Sequence, residues 1–182
     1  MSRFLYQFFF RLAGWKISGS MPVEKKYIII VAPHTSNWDF MIGLCARSIL
    51  RFQAKFLGKK ELFRFPFGIL FRWLGGVPVD RTRHANLVDA VAALFNQHEK
   101  FILAIAPEGT RKYVAQWKSG FYFIAVKAKV PIVMTAFDYA KKTIFIREPF
   151  YPTGNLTDDM KIIIGFYRDK KGKFAKELPA YN

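Results

Sequence analysis

One cysteine, Cys45, stands in the whole chain. No internal disulfide can form, and a cysteine-based zinc site is excluded. Such a chain fits a reducing compartment. Acidic residues are also scarce, 13 Asp+Glu against 29 Lys+Arg in 182 residues, for a formal charge of +16. No run of about 18 apolar residues occurs, so no bilayer-spanning helix is expected. No small-residue cleavage site follows an apolar core, so no secretion signal is expected. Repeats, linkers and low-complexity segments are absent, and a single domain is expected over residues 1–182.

What the chain does have is apolar and basic. Hydrophobic residues make up 52% and aromatics 18%, with 20 Phe. That load suits an apolar ligand site or a membrane-facing patch. A surface of +16 attracts a polyanion, either nucleic acid or an anionic lipid surface. The Phe load favours lipid. Two stretches carry both properties. In residues 2–15, Phe4, Leu5, Phe8, Phe9, Leu12 and Trp15 fall on one helical face, flanked by Arg3 and Arg11. The expectation is an amphipathic helix over residues 1–20, lying in the lipid interface or packed on the domain. Residues 59–76, KKELFRFPFGILFRWLGG, alternate cations with rings. They read as a surface that sits on lipid or lines an acyl groove, since such alternation resists full burial. Pro66 fits a first helical turn and Gly75-Gly76 its stop.

The rest alternates between strands and helices. Strands are expected at 27–32, 54–57, 77–79, 101–106, 131–137 and 142–147, with a candidate edge strand at 161–167. Helices are expected at about 38–52, capped by Ser36 or Asn37, at 86–97 and at 120–129, with Lys118 at the last one's opening. This order predicts an α/β fold: one domain, with a mixed, mostly parallel sheet flanked by helices.

The segment 27–40, YIIIVAPHTSNWDF, puts His34 just past a buried strand and Asp39 at the start of the next helix. A titratable His at the C-terminal end of a sheet strand is a common seat of chemistry. The H-x-x-x-x-D spacing alone is weak, because His84 and Asp89 share it. Those two lie along a helix, where five residues leave the side chains about 140° apart. His84 and His98 therefore read as solvated. A loop, by contrast, can fold His34 onto Asp39. Arg81 ends a strand in GGVPVDR, and Glu108, Gly109, Thr110 and Arg111 follow another in APEGTR. These strand ends share an edge with His34. Guanidinium forks and helix N-termini bind phosphate, so the edge suits a phosphate-bearing substrate. The competing reading pairs Arg81 and Arg111 with Asp80 and Glu108 as surface charges.

PHTSNWD, GGVPVDR, APEGTR and VPIVM at 130–134 resemble, in order and spacing, the four sequence blocks of the glycerolphosphate acyltransferase family, most closely its bacterial lysophosphatidate acyltransferase branch. The resemblance spans residues 27–137 and implies an O-acyltransferase domain. It implies His34 as general base, Asp39 as its orienting carboxylate and Arg81 as the acceptor-phosphate ligand. Glu108, Gly109, Thr110 and Arg111 would shape the acceptor pocket. Val130 and Pro131 would serve acyl-chain binding or packing. The implied donor is an acyl thioester of acyl carrier protein or coenzyme A, with no cofactor and no metal. The implied acceptor is a lysophospholipid, lysophosphatidate first, another lysolipid such as a lyso-aminolipid second. The implied location is the cytoplasmic face of the cell membrane, held peripherally or monotopically on an anionic surface. An activated thioester needs no enzymic nucleophile, only a base for the acceptor hydroxyl. Oxyanion donors are expected from backbone amides at the start of the 38–52 helix.

Three other classes fit less well. A lipase needs G-x-S-x-G, which is missing. A metal-dependent phosphoesterase using His34, Asp39 and Glu108 has one His among scattered carboxylates. A basic nucleic-acid or lipid module without catalysis has the charge. However, it shows no nucleic-acid motif, and the carboxylates beside His34 repel a phosphate backbone, so no nucleic-acid partner is expected.

Overall fold

The computed structural model describes residues 3–79 and 87–179. Within them a seven-stranded sheet runs in the order β1 (Lys16–Ser18), β7 (Thr143–Ile146), β6 (Ile132–Asp138), β2 (Lys26–Ala32), β5 (Phe101–Ile105), β3 (Ala54–Lys59), β4 (Gly76–Val79). All neighbours pair parallel except β6 with β7. That exception follows from the connection: only residues 139–142 join the two, and so short a turn admits only antiparallel pairing. The fold is the mixed, mostly parallel α/β sheet expected.

Two packed layers cover the sheet. Ile28, Ile30 and Ala32 of β2 face one cluster with Leu103 and Met134. Onto it pack α4 (Leu87–Gln97), α5 (Gly120–Ala128) and α6 (Leu156–Tyr167), through Phe95, Phe121 and Ile163. Tyr27 and Ile29 face the other way, onto Ile42 and Ala46 of α2 (Trp38–Ile49) and Phe10 of α1 (Arg3–Leu12). The period-2 alternation of an apolar strand thus builds both cores. The central β6 is buried at every residue.

Two expectations need correction, and one element was unforeseen. Residues 161–167 form the second half of α6, not an edge strand. Their Ile run suits a strand, but Met160, Ile163, Ile164 and Tyr167 are buried at helical spacing. The Asn155 side chain also accepts from the Asp158 amide and caps the helix. The N-terminal helix stops at Leu12, short of the expected 1–20, because Gly14 takes φ +77° and residues 16–18 become β1. A 3-10 turn at Lys60–Phe63, unforeseen, leads into α3 (Phe67–Trp73).

Candidate active site

The C-terminal ends of β2, β5 and β6 lie together at one edge of the sheet, where ligands of such sheets bind. Each supplies a side chain: His34 after β2, Glu108 after β5, Tyr139 after β6. Asp39 joins them from the first turn of α2.

Asp39 is 3% exposed, and four donors converge on it. Its Oδ2 meets His34 Nδ1 at 2.8 Å and accepts the Thr35 and Ser36 amides, each at 2.9 Å. Its Oδ1 accepts the Tyr139 hydroxyl at 2.6 Å. Burial raises the Asp39 pKa, but the bonds from His34, Tyr139 and the two amides outweigh it and hold the carboxyl below its ordinary value. An ionised carboxylate only accepts, so the proton between the two residues sits on Nδ1. In the neutral imidazole that tautomer leaves the lone pair on Nε2, on a ring whose side chain is 28% exposed.

Glu108 holds the backbone of the His34 loop. Gly109, at φ +65°, turns the chain there, and an added Cβ would stand 3.1 Å from Lys118 Cε. Glu108 Oε2 accepts the His34 amide at 2.7 Å and pairs with Lys176 Nζ at 3.1 Å. Burial raises the Glu108 pKa; the His34 amide and Lys176 offset only part of that. Arg111 is exposed and donates to Asn37 Oδ1, so its guanidinium stands at the rim beside the His34 loop. The pairing of Arg111 with Glu108 is not the one formed; Lys176 takes that carboxylate.

An apolar cavity of about 250 Å³ opens at this pair. His34 and Asp39 line it together with Phe40 and Leu44 of α2, Val31 of β2 and Ile146 of β7. It runs between α2 and the sheet.

His34, Asp39, Glu108, Gly109, Thr110 and Arg111 are therefore gathered as expected. Arg81 and His84 lie outside the described residues. Val130 and Pro131 stand at the start of β6, at the opposite end of the sheet, with Val130 in the core; their position is one of packing. His98 is exposed, edge-on to Phe101, and Asp89 pairs with Lys127. Most of the amides expected as oxyanion donors are already bonded. The Thr35 and Ser36 amides are spent on Asp39, the Trp38 amide on Ser36 Oγ, and those of Asp39 and Phe40 on the Ser36 and Asn37 carbonyls. Two site residues escaped the sequence reading. Tyr139 could have been found, since it directly follows a strand of this edge. Lys176 gave no signal; it sits in a lysine-rich tail that reads as solvated.

Much of the exposed apolar surface falls in the two stretches singled out. On α1, Phe4, Phe8, Phe9 and Leu12 face outward while Phe10 is buried. Around α3, Phe65, Phe67, Ile69 and Trp73 are exposed. Among the described residues no helix is long and apolar enough to cross a membrane.

Comparison with known proteins identifies the family and the fold. A family model described as Acyltransferase matches residues 15–138. A 1-acyl-sn-glycerol-3-phosphate acyltransferase of Salmonella typhimurium is 31% identical over 131 residues, covering 67% of this chain and 52% of that protein. A human protein named 1-acyl-sn-glycerol-3-phosphate acyltransferase beta is 30% identical over 141 residues, covering 74% and 49%. The chain spans about half the length of the curated relatives it matches. The crystal structure of the 1-acyl-sn-glycerophosphate acyltransferase from Thermotoga maritima superposes with a TM-score of 0.60 at 20% identity, covering 94% of this chain and 80% of that one. It shares the fold.

Proposed function

Because the chain belongs to the acyltransferase family, we propose that it moves a fatty acyl group from an acyl thioester to the free hydroxyl of a lysophospholipid, lysophosphatidate giving phosphatidate. The observation that carries this reading is the His34–Asp39 pair at the mouth of an apolar cavity. The names of the relatives support the acceptor.

Asp39 holds the Nδ1 proton, so Nε2 takes the proton of the acceptor hydroxyl as that oxygen attacks the thioester carbonyl. The imidazolium formed is stabilised by the carboxylate 2.8 Å away. The tetrahedral adduct then collapses, the C–S bond breaks, and the thiolate leaves with the proton His34 carried. Nothing is left on the protein. The acyl chain lies in the cavity between α2 and the sheet. Arg111, at the rim, binds the acceptor phosphate together with Arg81. Holding two substrates at the base is mostly entropic work.

The donor is acyl carrier protein or coenzyme A, and the basic surface suits the acidic groups of either. The protein works on an anionic membrane surface, at its cytoplasmic face. The net charge of +16 draws it there, and the outward rings of α1 and α3 enter the interface. The test is a radiolabelled acyl-transfer assay with both donors on a panel of lysolipids, read by thin-layer chromatography. Phosphatidate from lysophosphatidate is the expected product. Transfer only to a different lysolipid would overturn the acceptor, and transfer to none would overturn the reading.

A further inference from the structure

The site has a third layer, contributed by a segment beyond the matched family region, which ends at residue 138. After α6 the chain returns across the site. The Lys171 carbonyl accepts the Tyr139 amide at 2.8 Å. Gly172 lies so close over Thr35 that a Cβ there would stand 2.6 Å from Thr35 Cγ2. The Lys173 ammonium stands 4.9 Å above the Trp38 ring. Lys176 then plunges inward, its side chain 4% exposed. Lysine is almost never so buried unless paired, and here every donor is used. Its ammonium meets Glu108 Oε2 at 3.1 Å, the His34 carbonyl at 3.2 Å and the Thr110 carbonyl at 3.2 Å.

An ammonium has three N–H groups and no acceptor. Three protein oxygens saturate it, so it has nothing left for a substrate phosphate. It also joins the two loops that carry the site. Glu108 Oε2 holds the His34 amide from one loop, and Lys176 holds the carbonyls of both. His34 is thus fixed at its amide, its carbonyl and its Nδ1 by Glu108, Lys176 and Asp39 in turn.

We infer that residues 171–176 are a clasp over the active site and that Lys176 is a positioning residue for His34, locking the His34 and Glu108 loops in register. The inference rests on the proposed acyl transfer, and it extends the working domain past the matched region. The clasp touches no reacting atom; it sets where Nε2 points. A base displaced by about 1 Å loses on the order of 100-fold in rate.

The test is Lys176→Met, which keeps the length and apolar stem and removes the charge and donors. Acyl transfer is measured with lysophosphatidate, and backbone hydrogen exchange is followed in the loops 33–37 and 107–111. The expected result is a kcat lower by about 10- to 100-fold with KM for the acceptor within about twofold. Exchange should rise in both loops, with an unchanged far-ultraviolet spectrum. The double variant Glu108→Gln/Lys176→Met, which leaves no buried charge alone, should also fold and should show the lowered kcat. Wild-type kcat in Lys176→Met, or a loss of kcat without faster exchange in the loops, would overturn the inference. So would failure of both variants to fold, because that makes Lys176 a core residue. A wild-type protein that transfers no acyl group would refute the proposed function instead. The exchange comparison would still decide the clasp.

Discussion

Replacing Asp39 by asparagine separates what this carboxylate does for catalysis from what it does for the fold. Four groups donate to it: His34 Nδ1, the Thr35 and Ser36 amides and the Tyr139 hydroxyl. Asparagine offers one acceptor oxygen and one amino group. With the oxygen at the Oδ2 position, three donors keep a partner, and the Tyr139 hydroxyl can turn to accept from the amino group. The shape is retained, and each bond falls from charged to neutral. Bonds to charged groups contribute about 1.5–3 kcal/mol and neutral ones about 0.5–1.5 kcal/mol. Relief of the cost of burying a charge offsets part of the loss, and about 2 kcal/mol of stability should go. The catalytic loss is larger, because the imidazolium loses its counter-charge. A general base contributes roughly 10²–10⁴-fold, and Asp39→Asn should cost about 10²-fold of that in kcat, with acceptor KM within about threefold. The carboxyl is held below its ordinary value in the fold. Its stabilising contribution is therefore complete above the unfolded pKa and is lost as pH falls through the lower folded value. The stability gap between wild type and Asp39→Asn should be constant through neutral pH and close only at pH below the ordinary carboxylate value of 3.8. Urea unfolding across pH and steady-state acyl transfer read both quantities. A kcat within about threefold of wild type, with the gap independent of pH, would refute the reasoning.

Two further predictions probe the surroundings. Tyr139→Phe removes the hydrogen bond to Asp39 Oδ1; the half-buried site should lose about 1 kcal/mol in urea unfolding and about threefold to tenfold in kcat. Unchanged values would make that contact incidental. Phe8→Ala with Leu12→Ala, at side chains 53% and 72% exposed, should weaken partition onto anionic vesicles by about tenfold or more without moving the unfolding midpoint. Added salt should weaken wild-type binding without abolishing it. Complete release at moderate salt would mean that α1 does not insert.

The parts of this fold that were legible in the sequence are those where one physical rule dominates. The short apolar runs 27–32 and 101–106, each bounded by turn signals, read as strands, and they are β2 and β5 at the middle of the sheet. The strand ends then told which motifs meet. The 161–167 error came from a conflict between rules. Three consecutive isoleucines favour a strand by propensity, while the buried positions follow a helical period set by the Asn155 cap. β1 is three residues on a sheet edge, held by register with β7 rather than by any pattern of its own. Most helix-start amides that sequence offers to an oxyanion are bonded to Asp39, to the Ser36 hydroxyl or within the first turn. Local sequence does not show which donors a neighbouring side chain has already taken. Lys176 is the extreme case. Its role depends on a return of the chain across 142 residues to the His34 carbonyl, and a lysine in a basic tail carries no mark of burial.

The central claim is that His34 is the base and that the substrate hydroxyl, not a protein side chain, is the nucleophile. The most direct measurement is acyl transfer from a labelled thioester to lysophosphatidate by His34→Ala, alongside a folding check by circular dichroism. A folded variant with kcat lower by about 10²–10⁴-fold, and no labelled protein trapped in either wild type or variant, is the predicted result. Near-normal turnover by folded His34→Ala, or an acyl group found on the wild-type protein, would contradict it.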